Sequence, residues 1–251
     1  MTNELNLTAE QQRQVNKYRL FDIYSNSLYH FAKYCLGYED VNWNTHGPII
    51  EALEGKSKRK LIVCPRGAFK SSLCVISYCL WLIVKDPDVR ILIDSELFTN
   101  SKNFIREMQA HLESPRFIAI FGDMKSKWDW TQSHFTVKPR VKAHKNSTVT
   151  AGGVGTVKTG AHFTHIIADD LNSHMNSATE DGRQKVIQHY RYYTSLLEPD
   201  GTIVVVGTRY AANDVIGYIL ENEVGVDPTG KKDLREDSGL LQKSTSTTEL
   251  G

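Results

Sequence analysis

Four short apolar runs, separated by longer segments with helical character, constrain the fold of this chain more than any other feature. They lie at residues 61–64, 90–94, 164–169 and 202–207 and are rich in β-branched residues. Strands that are apolar on both faces are typical of parallel sheets covered by helices on each side. The sequence therefore predicts an α/β fold with a mostly parallel central sheet flanked by helices.

The remaining segments divide the chain into three predicted parts. These are an N-terminal helical region over residues 1–44, a central domain over 45–226, and a polar linker or tail over 227–251, where apolar periodicity is lost. Apolar spacing predicts helices over residues 7–36, 70–85, 97–113, 179–197 and 213–222, a helix start near Pro48, and strands near 135–138 and 147–151.

The composition argues against membrane-spanning and disulfide-rich secreted proteins. Hydrophobic residues make up 40% of the chain and charged residues 24%, as in ordinary globular proteins. No apolar run approaches the ~20 residues that span a bilayer, and the polar N-terminus has no signal-peptide core. The four cysteines have no CxxC spacing, so we expect buried, reduced thiols, no zinc site and an intracellular protein without a membrane partner.

Basic residues are concentrated in one part of the chain, although the net charge is only +1. Residues 124–158 contain seven Lys or Arg residues and one acidic residue, Asp129. Such a stretch can face a polyanion or be an ordinary solvated surface. If it faces DNA, the candidate contacts are Lys138, Arg140, Lys142 and Lys145.

The first apolar run leads into the segment CPRGAFKSS, which precedes a predicted helix. A strand, a loop, a Lys-Ser pair and a helix in this order are typical of a phosphate-binding loop, whose N–H groups face phosphate oxygens. Cys64 and Phe69 occupy the usual glycine positions, so an ordinary strand-to-helix turn with a surface lysine is the alternative. The predicted nucleotide-binding residues are Pro65, Arg66, Gly67, Ala68, Phe69, Lys70, Ser71 and Ser72.

Two carboxylates end the third apolar run, about a hundred residues after this loop. In P-loop ATPases the first acid, here Asp169, holds Mg²⁺ together with the loop hydroxyl of Ser71. The second, here Asp170, orients the water that attacks the γ-phosphate. A strand ending in a solvated Asp-Asp turn is the other interpretation, and the preceding loop favours the functional one.

The fourth apolar run is followed by Thr208 and Arg209. A small polar residue at this strand end is placed to sense the γ-phosphate or the attacking water, whereas a plain Gly-Thr turn is the alternative. The three strand ends together predict an α/β P-loop NTPase of the ASCE type that binds ATP and Mg²⁺.

Three segments together resemble the large subunit of tailed-phage terminases, the DNA-packaging motor proteins. They are LIVCPRGAFKSS, GGVGTVKTGAHFTHIIADDL and GTIVVVGTRYAANDVIGYIL, and the resemblance covers roughly residues 45–222. It implies an ATPase that translocates double-stranded DNA into a procapsid.

The resemblance also implies roles for individual residues. Lys70 and Ser71 match the Walker A lysine and hydroxyl, while Asp169 and Asp170 match the Walker B magnesium ligand and catalytic acid. Arg66 matches a Walker A arginine that contacts the γ-phosphate or moves with nucleotide state.

Two further matches concern coupling and the neighbouring subunit. Thr208 falls in the coupling motif, and residues 43–48, with His46, lie where the adenine-side segment is expected. Family members work as rings in which a basic residue acts in trans on the neighbour's γ-phosphate. The candidates for that residue are Lys158, Arg140 and Arg209.

The partners implied by the resemblance are double-stranded DNA, a portal protein and a small terminase subunit, with a homo-oligomeric ring when assembled. The implied location is the host cytoplasm, outside the virion. We expect no nuclease domain, either because the chain is shortened or because the nuclease is a separate polypeptide. Two alternatives stay open: another P-loop DNA-dependent ATPase, such as a helicase-like protein, and a non-catalytic nucleotide- or DNA-binding module.

Overall fold

The computed structural model describes residues 8–156, 160–223 and 239–242. Its strands are β1 (Arg59–Val63), β2 (Ile91–Ser95), β3 (Lys125–Trp130), β4 (His134–Val137), β5 (Val149–Ala151), β6 (Phe163–Asp169), β7 (Leu197–Gly207) and β8 (Gly239–Gln242). They form one eight-stranded sheet in the order β3-β4-β5-β2-β6-β7-β1-β8. The pairs from β5 to β8 are parallel, and β3 and β4 add an antiparallel edge. The prediction of a mostly parallel α/β sheet is confirmed.

Helices surround this sheet. They are α1 (Ala9–Asn26), α2 (Leu28–His30), α3 (Trp43–Glu54), α4 (Tyr78–Lys85), α5 (Phe98–Leu112), α6 (Pro115–Phe121), α7 (His174–Ser177), α8 (Glu180–Leu196) and α9 (Val215–Asn222), with π-helical turns at Phe31–Cys35 and Ser71–Ser77. Polar side chains cap several N-termini, because the first turn of a helix has unpaired N–H groups. Thr8, for example, forms a reciprocal capping box with Gln11.

Three local predictions were wrong in detail. The helix predicted over residues 7–36 is interrupted at Ser27, whose hydroxyl accepts a hydrogen bond from the His30 N–H. Pro48 lies inside α3, which begins at Trp43 after the Asn42 cap, and not near its start. Helix α6 and strand β3 had no clear periodicity in the sequence and were not predicted.

Alternate residues of the central strands belong to two separate hydrophobic clusters. In β7, Val204 and Val206 join the cluster formed with the N-terminal helices, α4 and α5, whereas Ile203 and Val205 join the cluster formed with α8 and α9. This two-residue alternation places one cluster on each face of the sheet. The covering of both faces explains why these runs contain almost no polar residues.

The parallel register brings the ends of four strands to one edge of the sheet. Val63 of β1 pairs with Gly207 of β7, and Asp169 of β6 pairs with Val206 of β7 and with Ser95 of β2. The segments that leave β1, β6 and β7 therefore begin side by side, with β7 between the other two. The fold in this way brings together three motifs that are spread over residues 64–209 of the sequence.

Other predictions meet the structure as follows. Cys35, Cys74 and Cys79 are buried free thiols, as predicted, while Cys64 is only half-buried. Among the described helices, none is long and apolar enough to cross a membrane. The predicted tail over residues 227–251 lies outside the described residues except for Gly239–Gln242, which pairs in parallel with β1.

Candidate functional site

Lys70 connects the ends of three strands. Its Nζ donates hydrogen bonds to Asp170 Oδ1 and to Thr208 Oγ1, both at 2.9 Å. The Thr208 hydroxyl in turn donates to the carbonyl oxygen of Cys64, at 3.1 Å. Only 7% of Lys70 is exposed, and a buried ammonium needs such partners to offset its lost hydration. The structure thus brings together three residues that the sequence proposed for one site.

A second pair lies beside this lysine. The Ser71 hydroxyl donates to Asp169 Oδ2 at 2.8 Å, while Asp169 Oδ1 is buried without a hydrogen-bond partner. Burial raises the pKa of Asp169 to about 6; the Ser71 hydrogen bond and the Lys70 charge oppose this rise, and the Asp170 charge adds to it. A buried carboxylate oxygen without a donor suits a cation, because a cation would restore the lost solvation.

The donor set is small, and this limits which metal it fits. Among the described residues, no group of three or more His, Cys, Asp or Glu side chains could hold a metal ion. Mg²⁺ in nucleotide sites commonly takes only one or two protein oxygens, and phosphates and waters complete its shell. Ser71 and Asp169 therefore fit Mg²⁺ that arrives with a nucleotide, and they do not fit an independent metal centre.

The loop after β1 has an unusual backbone at the position where the common motif has glycine. Phe69 has φ 57° and Asp170 has φ 44°, both in the left-handed region, which costs non-glycine residues about 1–2 kcal/mol. The Phe69 ring packs edge-on against Tyr38, at 5.5 Å between centroids, and against buried His46, at 6.4 Å. These aromatic contacts explain how a phenylalanine is held there. His46 is therefore buried next to the Phe69 side chain of the loop.

Arg66 extends from the same loop to the segment after β7. Its guanidinium donates a short hydrogen bond to the Tyr210 hydroxyl, with Cζ 5.8 Å from the centroid of that ring. The Tyr210 N–H donates to buried Asp214, whose side chain also caps α9. Nothing in the sequence singled out Tyr210 beyond its position next to Thr-Arg. An open cleft of ≈ 390 Å³ is lined by Arg66, Gly67, Phe69, Lys70, Ser71, Ser72 and Asp170.

Comparison with known proteins places this site in a family context. No protein-family model matches the chain. The large terminase subunit of Enterobacteria phage T3 is 28% identical to it over 159 residues, which are 61% of this chain and 26% of that relative. The chain is thus similar to part of a terminase large subunit, and the match covers about a quarter of the phage T3 protein.

Two of the candidate trans-acting residues, Arg209 and Arg140, form hydrogen bonds with groups outside the Lys70 cluster. Arg209 donates to the carbonyl oxygens of Ala211 and Ala212, in the turn before α9. Arg140 donates to the carbonyl oxygen of Asn146, near the antiparallel edge of the sheet. Lys158 lies outside the described residues.

The candidate DNA contacts do gather on one surface. Lys138, Arg140 and Lys142 line a groove of ≈ 500 Å³ beside β3 and β4, and Lys125 and Lys127 lie along it as well. Lys145 is exposed on the same connecting loop. Lys138 forms an exposed ion pair with Asp123 at 3.6 Å, and such pairs contribute little to stability. Among the described residues, Lys125 and Lys138 of the groove are paired with carboxylates, whereas Lys127 and Lys142 form no ion pair.

A buried polar network at the end of β2 was not predicted from the sequence. Asp94 Oδ2 lies 2.7 Å from His189 Nε2 and accepts a hydrogen bond from the Tyr193 hydroxyl at 2.9 Å. His189 Nδ1 accepts from the Gly155 N–H at 3.4 Å. The network ties α8 to the glycine-containing loop after β5. A second apolar run ending in an acid was the only available signal, and the partners lie about ninety-five residues away.

Proposed function

We propose that this terminase-like chain is the ATP-hydrolysing part of a viral DNA-packaging motor. The observation that carries the proposal is the Lys70 cluster: one buried lysine joins the predicted catalytic acid and the predicted coupling threonine, directly beside the Ser71–Asp169 pair. The similarity to a terminase large subunit supports the choice among P-loop ATPases.

When ATP binds, we expect Lys70 to exchange Asp170 for phosphate oxygens as its partner. The ammonium of Lys70 pairs with Asp170 at 2.9 Å. The β- and γ-phosphates present a larger negative charge to the same ammonium, so they displace the carboxylate. Asp170, whose side chain is 41% exposed, is then free to orient a water in line with the γ-phosphate. The Lys70–Asp170 ion pair thus keeps the acid in an inactive position until substrate arrives.

Ser71 and Asp169 hold Mg²⁺ in this proposal. When bound, Mg²⁺ neutralises phosphate charge that develops during transfer. Asp169 must be ionised for this role, and the Ser71 hydrogen bond already favours its charged form against the effect of burial.

Coupling to DNA runs through the segment after β7. Thr208 contacts Lys70, and Tyr210 contacts Arg66, so both ends of the phosphate loop touch this segment. Tyr210 is fixed to Asp214 at the start of α9. Loss of the γ-phosphate would therefore be transmitted to α9.

The proposed DNA contacts are to the phosphate backbone and do not read sequence, because a motor must move any sequence. The residues that make them are Lys138, Arg140, Lys142 and Lys145.

Assembly completes the site. A basic residue of a neighbouring copy in a ring, for which Lys158, Arg140 and Arg209 are the candidates, would add the last positive charge at the γ-phosphate. Double-stranded DNA, a portal protein and a small terminase subunit are the proposed partners, and the host cytoplasm is the proposed location.

Duplex binding in different nucleotide states tests this function. The affinity for a fluorescent duplex should change between ADP and a non-hydrolysable ATP analogue, and should fall steeply with salt. The double variant Lys138→Ala/Lys142→Ala should reduce the salt slope by about 2, whereas Lys17→Ala on exposed α1 should not. Duplex affinity that is independent of both nucleotide and salt would refute the motor proposal.

A further inference from the structure

Trp128 has an unusual environment for a tryptophan. It lies in β3 and is 95% exposed. Trp130, two residues along the same strand, packs on Phe135 with 4.9 Å between ring centroids and donates to Glu113 at 2.8 Å. The β3–β4 register shifts between Lys125 and Trp130, and such irregularities redirect side chains. The strand thus fixes one indole in the structure and leaves the other in solvent.

The surroundings of Trp128 are strongly basic. It lines the ≈ 500 Å³ groove, whose other polar lining includes Lys125, Lys127, Lys138, Arg140 and Lys142 and contains no acidic residue. Glu113 and Asp123 pair with Lys125 and Lys138 at its margin. Lys127 and Lys142 form no ion pair with any residue in the described ranges. Two free ammonium groups therefore flank one free indole.

The far wall of the groove is held in place. The N–H groups of Val141 and Lys142 both donate to Asp88 Oδ1 at 2.9 Å. Arg140 is anchored to the Asn146 carbonyl oxygen at 2.7 Å. The groove volume falls in the ~300–1,000 Å³ range of sites that enclose small ligands. A preformed wall of this kind lowers the entropy cost of binding.

These features distinguish a single strand from a duplex. Phosphate contacts to a duplex need only cations, since the faces of paired bases are covered by their neighbours. An exposed indole among cations is instead the arrangement that binds unpaired bases by stacking, with the backbone held by Lys or Arg. A lone exposed tryptophan is unremarkable on a protein surface, so it is the combination that carries the inference.

We propose that this groove binds an unpaired nucleic-acid strand, with a base stacked on Trp128 and flanking phosphates contacted by Lys127 and Lys142. The inference rests on the proposed DNA-handling function and adds to it, because it assigns a separate site to a frayed or single-stranded segment. It does not depend on ATP turnover.

Fluorescence anisotropy with labelled oligo-dT of about 20 nucleotides and a duplex of the same length tests the site. Trp128→Ala should weaken oligo-dT binding about tenfold, since stacking on one base contributes 1–3 kcal/mol, and should change duplex affinity less than twofold. Trp128→Phe should restore most of the affinity. Met175→Ala removes an exposed apolar side chain outside the groove and should have no effect.

Several results would overturn the proposal. Unchanged oligo-dT affinity of Trp128→Ala would exclude stacking, and an equal loss for the duplex would show that Trp128 does not distinguish unpaired from paired strands. Binding of neither oligonucleotide at low salt would point to an acidic protein instead. Lys70→Ala separates this proposal from the proposed ATPase function, because it removes the ATP-site lysine and leaves the groove intact. Its oligo-dT affinity should equal that of the wild type, whether or not the wild type hydrolyses ATP. Oligo-rU, run in parallel, shows whether the strand can be RNA.

Discussion

Charged side chains are buried at the carboxyl ends of the parallel strands and exposed at the antiparallel edge of the sheet. At the ends of β1, β6 and β7, Lys70 and Asp169 are buried; Lys70 is hydrogen-bonded to Asp170, and Asp169 to Ser71. At the antiparallel edge, Lys127, Lys142 and Trp128 face solvent. We propose that the parallel ends bind compact phosphates and that the edge binds a long polyanion. Changes at the two places should therefore have separable effects.

The largest effect is expected from removing the Asp169 charge. Asp169→Asn keeps a side chain that can accept from Ser71 but loses the carboxylate that we assign to Mg²⁺, so ATP turnover should fall at least about a hundredfold. Steady-state phosphate release measures it. Duplex affinity at the antiparallel edge should stay within twofold of wild type, and a parallel loss there would mean that the two regions are not independent.

Thr208→Val should have the next largest effect. The change keeps the shape of the side chain but removes both the acceptor for Lys70 and the donor to Cys64. We expect a roughly tenfold or greater fall in kcat with a smaller change in nucleotide affinity, because the hydroxyl is assigned to coupling and sensing. Thr208→Ser retains the hydroxyl and should recover most of the rate; a dead Thr208→Ser would point to a packing role for the methyl group.

The buried Asp169 should also give the fold a characteristic pH dependence in EDTA. Its pKa is raised to about 6 in the folded chain and is ~3.9 in unfolded chains, so the folded state holds more protons between these values. Stability should be greatest below about pH 4 for this group and fall by about 2–3 kcal/mol as pH rises to 6.

Denaturant unfolding at several pH values measures this contribution. Asp169→Asn should remove the slope and be more stable than wild type at pH 7.5, although it is inactive. Asp181→Asn, in the exposed first turn of α8, controls for the loss of a carboxylate elsewhere. An unchanged slope in Asp169→Asn would show that another group is responsible.

The smallest effect concerns the left-handed residue of the phosphate loop. Phe69→Ala and Phe69→Gly both lose the contacts with Tyr38 and His46. At φ 57°, glycine avoids a cost of about 1 kcal/mol that alanine bears. The glycine variant should therefore be the more stable of the two in thermal unfolding. The usual order, with alanine more stable, would show that the loop backbone relaxes when the ring is removed.

The sequence was most informative where local pattern decides the structure. The β-branched runs gave the central strands, because a strand buried on both faces must be apolar along its whole length. The order Lys70, Asp169, Thr208 then indicated a shared edge, because parallel strands end together. The sequence offered no prediction where distant packing decides: Phe69 contacts Tyr38 and His46, and Asp94 contacts His189, and neither pairing leaves a periodic signal.

The same contrast between local pattern and distant packing applies to the basic edge of the sheet. Its charge excess was visible in residues 124–158, but the groove was not, because it depends on the β3–β4 register shift and on Asp88 holding the opposite wall. Trp128 and Trp130 look alike in sequence, yet only one is covered. Exposure of that kind is decided by tertiary contacts and cannot be predicted from residue type.

Mg²⁺-dependent ATP hydrolysis across a protein concentration series tests the central claim most directly. We expect the specific ATPase activity to rise with protein concentration. Lys70→Ala should abolish it, and Lys17→Ala on exposed α1 should leave it unchanged. The ATPase proposal would be contradicted by turnover that survives Lys70→Ala, or by ATP binding without any turnover even after portal protein and duplex DNA are added.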